Sequence, residues 1–130
     1  MGDTETVRAL LEAWDAGDVE RILDHLDPDA ELVPLRAQLE GTEYRGATGL
    51  LRLRTDLDRD WENLRFEVDE FREREGMVVS LGHLEGKGRT SSIDLRVPIA
   101  FLWRLRDDRV VFVQSYSDAP EALRAAGIED

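Results

Sequence analysis

Residues 92–105 form the stretch that most constrains the fold, because apolar and mostly polar side chains alternate along it. Every odd position is apolar: Ile93, Leu95, Val97, Ile99, Phe101, Trp103 and Leu105. Successive side chains of a β-strand point to opposite faces, so this alternation predicts a long strand with two different faces. One face must lie against a core or a pocket, and that face carries no group that can transfer a proton.

The first third of the chain predicts short helices, because its apolar residues recur every three or four positions. Asp3 or Thr4 is a candidate cap for a first helix that the run at 15–17 ends. Asp18 is a candidate cap for a second helix, whose apolar stripe continues to Leu26.

The next segment predicts a short strand over 30–34, a loop through Gln38 and a second extended piece near 43–44. Thr48 is the predicted cap of a third helix, whose leucines recur at helical spacing.

The second half predicts an antiparallel sheet followed by one helix. From Leu64 onward, turns separate four runs that have the period of two typical of strands, so a four-strand meander is expected. Asp118 and Glu121 have the spacing of a capping box for a last helix over 119–126. Helices followed by a long meander indicate an α+β fold whose curved sheet wraps around a cavity.

Composition excludes several classes of function. The 130 residues predict one domain over 1–130, and the net charge of -12 argues against nucleic acid as a partner. The chain has no cysteine, so it has no disulfide or thiolate chemistry. No phosphate loop and no cluster with metal-ligand spacing is present, so we expect neither a metal nor another cofactor. No targeting or membrane-spanning segment is recognisable, so we expect a cytoplasmic protein without a membrane partner.

Five short pieces of the chain resemble one known family. They are WDAGD (14–18), LDPDA (26–30), YRG (44–46), WRLRD (103–107) and EAL with AG (121–127). Their order and spacing resemble the SnoaL-like branch of the nuclear transport factor 2-like superfamily. The resemblance implies an α+β cone, in which a curved antiparallel (mixed) sheet wraps around N-terminal helices and encloses a deep apolar pocket. It also implies a hydrophobic small molecule as ligand and polyketide cyclases, ketosteroid isomerases and limonene epoxide hydrolases as relatives.

The positions that carry catalytic groups in the isomerases hold other residues here. By alignment they are Leu10, Pro34 and Phe101, or Ala100 if the register shifts by one. None of these side chains can act as an acid or a base, so a ketosteroid-type isomerase is not expected.

The resemblance to epoxide hydrolases and polyketide cyclases leaves three candidate catalytic residues. His83 and Glu85 alternate with Leu84 and are expected to face the pocket, and Ser115 stands where the hydrolases have an acid. His83 and Ser115 also have a purely structural interpretation: His83 as a histidine near the rim, and Ser115 as a small residue that leaves room for a ligand. Asp118, the carboxylate nearest to the cyclase base position, is better explained as a helix cap.

Aromatic and aliphatic side chains are expected to line the pocket and to favour an aromatic or polycyclic ligand. The predicted lining residues are Leu10, Trp14, Tyr44, Trp61, Phe66, Phe101, Trp103 and Val113. Tyr44 alternatively packs in the core and bonds a backbone carbonyl.

The opposite face of the sheet is predicted to be the dimer interface. Asp94 and Arg96 lie on this outer face, and partly apolar residues continue it. A partly apolar sheet face suits an isologous homodimer. The residues proposed for this contact are Ala100, Leu102, Phe112 and Tyr116.

Two functions therefore remain open from the sequence. The first is an acid–base enzyme of the cyclase, isomerase or hydrolase kind, acting on a hydrophobic polycyclic or aromatic substrate through His83, Glu85 and Ser115. The second is a non-catalytic module that binds an apolar ligand or acts as a dimeric scaffold.

Overall fold

The fold is described from a computed structural model that covers residues 2–91 and 93–128. Ser92, the first residue of the alternating stretch, lies outside the described residues. In chain order the elements are α1 (Asp3–Ala16), α2 (Val19–Asp24), β1 (Leu26–Val33), α3 (Leu35–Glu40), β2 (Tyr44–Arg45), α4 (Gly46–Asp60), β3 (Trp61–Arg74), β4 (Met77–Gly88), β5 (Asp94–Arg106), β6 (Arg109–Tyr116) and α5 (Ala119–Ala126). None of the helices in this described part is long and apolar enough to cross a membrane.

The six strands form one curved sheet in the order β2-β1-β6-β5-β4-β3. Strands β3 to β6 pair antiparallel in sequence, which confirms the predicted meander. Strand β1 lies parallel to β6, so the sheet is mixed. The α+β class and the cone-like architecture are therefore as the sequence predicted.

The register of β4 against β5 decides which side chains share a face. Val78 lies opposite Trp103 and Ser80 lies opposite Phe101, and this inner face meets the helices α1 and α4. Leu81 lies opposite Ala100 on the outer face, which meets α5. Because helices cover both faces, the sheet takes part in two separate apolar clusters.

Helix α5 covers part of the outer face on which a dimer contact was predicted. Ala100 and Leu102 are 1% and 2% exposed, because Leu123 and Ala126 of α5 pack on them. Phe112 and Tyr116 are half-buried at the margin of the same cluster. Ala100 and Leu102 are therefore not available for the predicted contact, while a homodimer, with Phe112 and Tyr116 in its interface, stays a prediction.

Several boundaries differ from the sequence expectations. Helix α2 ends at Asp24, because Leu26 already pairs with Val110 in the sheet. Helix α4 begins at Gly46 rather than after Thr48: its backbone passes Pro28 so closely that a Cβ at Gly46 would lie 2.3 Å from the Pro28 carbonyl oxygen.

The remaining differences concern helix caps and α3. The Asp118 side chain makes no capping hydrogen bond, so α5 has the predicted bounds without the predicted capping box. Residues 35–40 form helix α3 where a loop was expected, between Pro34 at its start and Gly41, whose φ of 72° ends it.

Candidate functional site

A cavity of about 220 Å³ lies between the inner face of the sheet and the helices. Its wall is almost wholly apolar and draws on every helix except α5. The lining residues are Leu10, Leu11, Trp14, Ile22, Leu26, Leu32, Val33, Pro34, Leu35, Arg36, Leu50, Leu53, Leu57, Trp61, Leu64, Phe66, Leu84, Ile99, Phe101, Trp103, Val113 and Ser115.

Four aromatic side chains form a continuous row on this wall. The ring centroids of Trp14 and Phe66 are 5.9 Å apart, those of Phe66 and Phe101 5.1 Å, and those of Phe101 and Trp103 5.7 Å. The Phe66–Phe101 contact is edge-to-face, a geometry that aromatic quadrupoles favour. Because each ring is held by its neighbours, the row gives the cavity a defined aromatic surface.

Polar contacts orient the two tryptophans at the ends of this row. The Trp103 Nε1–H donates to Ser80 Oγ at 3.0 Å in the buried core. At the other end, the Arg54 guanidinium lies 4.5 Å from the Trp14 ring centroid and donates to the Trp14 carbonyl oxygen at 3.2 Å. These contacts orient both indoles, so that Trp14 and Trp103 contribute apolar surface to the wall.

Ser115 is one of two polar lining residues, tryptophans aside, in the described part of the chain. It is 4% exposed and lies opposite Phe101 in the β5–β6 register. Its carbonyl oxygen accepts from Gln38 Nε2 at 3.1 Å, whereas its hydroxyl has no hydrogen bond to the described residues. The hydroxyl is therefore available to a ligand.

Arg36 is the other polar lining residue, and the sequence analysis missed it. Its Nη1 donates to the Asp60 carboxylate at 3.2 Å and to the Asp56 carbonyl oxygen at 3.4 Å, and its Nε lies 3.8 Å from the Glu40 carboxylate. These carboxylates balance its charge. No periodicity marked residues 35–40 as a helix, so nothing in the sequence singled out this arginine.

His83 and Glu85 lie on the outer face of the sheet, so the prediction that they face the pocket is wrong. His83 lies opposite Pro98, with its Nδ1 3.2 Å from the Asp69 carboxylate. Glu85 lies opposite Arg96 and forms an ion pair with it at 3.3 Å.

The physical reason for this error is that both faces of β4 are apolar. Val79 and Leu81 share a face with His83, and this face packs against α5 rather than facing the cavity. The cavity side of β4 is instead the face of Val78 and Leu84.

Tyr44 is buried in the core and does not line the cavity, contrary to expectation. It is 1% exposed, and its hydroxyl donates to Asp56 Oδ2 at 2.6 Å, a carboxylate rather than a backbone carbonyl. This hydrogen bond lowers the pKa of Asp56, and burial together with the same bond raises the pKa of Tyr44. The pair ties β2 to α4 and has a structural role.

The other seven residues predicted to line a pocket all lie on the cavity wall. The positions aligned with the isomerases' catalytic groups, Leu10, Pro34 and Phe101, are on the wall as well. Among the described lining residues there is no carboxylate and no imidazole. Nowhere in that part of the chain do three metal-ligating side chains come together in a possible metal site.

A family model described as a SnoaL-like domain matches residues 7–113. The chain belongs to the SnoaL-like family. No curated protein matches the sequence.

Solved structures share the fold of this SnoaL-like chain at low sequence identity. An NTF2-like protein of unknown function from Burkholderia pseudomallei is 22% identical, with a TM-score of 0.81 over 95% of this chain and 97% of that one. TerC, co-crystallised with polyporic acid, is 20% identical, with a TM-score of 0.79 over 92% and 93% of the two chains. A proposed polyketide cyclase from Pseudomonas putida is 15% identical, with a TM-score of 0.76 over 95% and 97%. At these identities the likeness establishes the shared fold.

Proposed function

We propose that this SnoaL-like protein binds a neutral, aromatic small molecule in its cavity. The observation that carries the proposal is the wall itself, in which an aromatic row and aliphatic side chains surround the Ser115 hydroxyl, which has no hydrogen bond to the described residues. Binding sites for small molecules are typically apolar, with a few polar groups that fix orientation. The free hydroxyl at Ser115 suits an aromatic ligand that carries one oxygen acceptor.

The size and the charge of the site further limit the range of ligands that can bind. An apolar cavity of about 150 Å³ accepts benzene, so the 220 Å³ cavity suits a ligand of about two fused rings. A carboxylate ligand is disfavoured, because the one cation on the wall, Arg36, is already balanced by Asp60 and Glu40 and the chain carries a net charge of -12.

Binding can be measured through the protein's own fluorescence, since all three tryptophans, Trp14, Trp61 and Trp103, line the cavity. We expect 2-acetylnaphthalene to change this fluorescence saturably. Val113→Phe fills part of the cavity and should weaken binding at least about tenfold, which is roughly 1.4 kcal/mol. The matched control Leu51→Phe adds a ring on α4 at a residue that is 47% exposed and outside the wall, and should bind as the wild type does.

A second pair of ligands tests the role of Ser115. 2-Ethylnaphthalene has nearly the shape of 2-acetylnaphthalene but no oxygen acceptor. Wild type should prefer the ketone, and Ser115→Ala should lose that preference. Equal binding by wild type and Val113→Phe, or no binding by wild type, contradicts the proposal.

A cyclase-type activity is the second candidate function, and the same Ser115 hydroxyl favours it. A wall that holds a flexible polyketone folded brings its reacting carbons together, and a hydroxyl donor on one carbonyl stabilises the developing oxyanion. The fold is shared with a proposed polyketide cyclase. With no carboxylate or imidazole among the described lining residues, the proton lost from the reacting carbon would be taken up by water.

The roles of Ser115 and His83 separate this candidate from the acid–base enzyme expected from sequence. If the reaction depends on the cavity, Ser115→Ala should lower the cyclisation rate of a model polyketone while His83→Ala should not. A rate that falls only with His83→Ala contradicts the cavity-based reaction. If the polyketone binds but its cyclisation is not accelerated, the cyclase activity is rejected and the binding function stands.

A further inference from the structure

Helix α3 covers one side of the cavity and is bounded by two residues that interrupt regular structure. Pro34 precedes it, and Gly41 follows it in the left-handed region at φ 72°. Leu35 and Arg36, in its first turn, are part of the cavity wall. The single buried residue of α3 is Ala37, so the helix has little packing of its own.

Leu39 is the most exposed large apolar side chain among the described residues, at 87%. It follows Leu35 by four positions and Arg36 by three, and residues at these spacings lie on the same side of a helix. The stripe of α3 that lines the cavity therefore continues into a leucine that nothing covers. Exposed single leucines are common, but this one extends the wall of an apolar cavity.

Four polar side-chain contacts hold α3 in place. The Arg36 Nη1 bonds to Asp60 and to the Asp56 carbonyl oxygen on α4, and Gln38 Nε2 bonds to backbone carbonyls of Val33 and Ser115. Asp60 is 48% exposed in its side chain, and ion pairs this exposed contribute little. The buried Arg36 Nε has no hydrogen-bond partner among the described residues, so this group adds no hydrogen bond that would hold α3 in place.

We propose that α3 is a lid that closes on the bound ligand and places Leu39 against it. The hinges are Pro34 and Gly41, and the weak Arg36–Asp60 ion pair breaks when α3 moves. The proposal rests on the binding function proposed above and adds a ligand-contacting residue that lies outside the cavity wall. Its driving force is the burial of Leu39 together with the exposed edge of the ligand.

Leu39→Ala and Leu51→Ala test the lid with 2-acetylnaphthalene as the probe. Both remove an exposed leucine from a helix, so both variants should unfold at the wild-type denaturant midpoint. Leu39→Ala should weaken binding by about five- to tenfold, or roughly 1–1.4 kcal/mol, while Leu51→Ala should not. Leu39→Met, which keeps the apolar volume, should restore most of the affinity.

Hydrogen exchange and binding kinetics report on the motion itself. Saturating probe should slow amide exchange in the peptide that contains residues 35–40, and Leu39→Ala should reduce that protection. Asp60→Asn removes the ion pair and should raise both the association and the dissociation rate several-fold in stopped-flow fluorescence. Wild-type affinity in Leu39→Ala, or unchanged exchange over 35–40, overturns the lid while leaving cavity binding intact. Absence of probe binding to wild type overturns the binding function and the lid with it.

Discussion

Trp103→Ala is expected to be among the most destabilising single substitutions in this protein. Trp103 is 4% exposed, belongs to the main apolar cluster and ends the aromatic row on the cavity wall. Its indole also supplies the hydrogen bond to Ser80, which is 1% exposed. The substitution therefore removes apolar contacts and leaves a buried hydroxyl without its partner.

The magnitude follows from these two losses. Truncation of a buried tryptophan to alanine costs about 3–5 kcal/mol. A buried group deprived of its hydrogen-bond partner adds about 1–3 kcal/mol, but here the new void joins the existing cavity, so water can reach Ser80 and offset most of that addition. We expect a total of about 3–5 kcal/mol, a large share of the roughly 5–15 kcal/mol typical of a domain.

Equilibrium unfolding in urea measures this loss, and a double-mutant cycle isolates the hydrogen bond. Trp103→Phe keeps a ring and loses the N–H, and Ser80→Ala loses the acceptor. The double variant should lose about 0.5–1.5 kcal/mol less stability than the sum of the two single losses. A loss below about 1 kcal/mol for Trp103→Ala would mean that the inner face of β5 has been assigned to the wrong side. Strictly additive losses for the cycle would refute the role of the hydrogen bond.

Two further substitutions test the framework around the cavity. Tyr44→Phe removes the hydrogen bond that holds the pKa of Asp56 below its usual 3.8. The stability that this bond gives the folded protein is complete above pH 3.8 and is lost as the pH falls through the folded-state pKa. Urea unfolding should therefore show a gap between wild type and Tyr44→Phe that narrows below pH 3.8, and a constant gap would contradict the assignment. Gly82→Ala would place a Cβ 1.8 Å from the Glu67 carbonyl oxygen and should cost more than about 2 kcal/mol. Its matched control, Gly86→Ala, meets a flexible leucine side chain at 2.9 Å and should cost under about 1 kcal/mol; equal costs would contradict the close approach of β3.

Much of the fold was accessible from local patterns. The alternation that ends in Phe101, Trp103 and Leu105 predicted β5, and the helical spacing of Val7, Leu10 and Leu11 predicted α1. These predictions succeed because the periods of two and of 3.6 residues are properties of the backbone itself. The aromatic lining of the cavity followed from the same alternation, since the odd residues of β5 share one face.

Of the two polar residues on the described wall, Ser115 was a candidate from the sequence and Arg36 was not. His83 was expected to face the pocket, but it shares a face with Val79 and Leu81, which α5 covers. Arg36 lies in a six-residue helix, too short for a periodic signal. The Tyr44–Asp56 bond joins β2 to α4, and no sequence spacing predicted it.

The sequence by itself determined the type and order of most elements, the absence of cysteine chemistry and the apolar character of residues 93–105. Only the tertiary structure decided which face of β4 meets the cavity, that α5 covers the outer sheet, and that Arg36 joins Ser115 on the wall. The reason is physical: periodicity sets how side chains alternate within one element, whereas the elements that pack against a face decide whether it becomes core, cavity wall or surface.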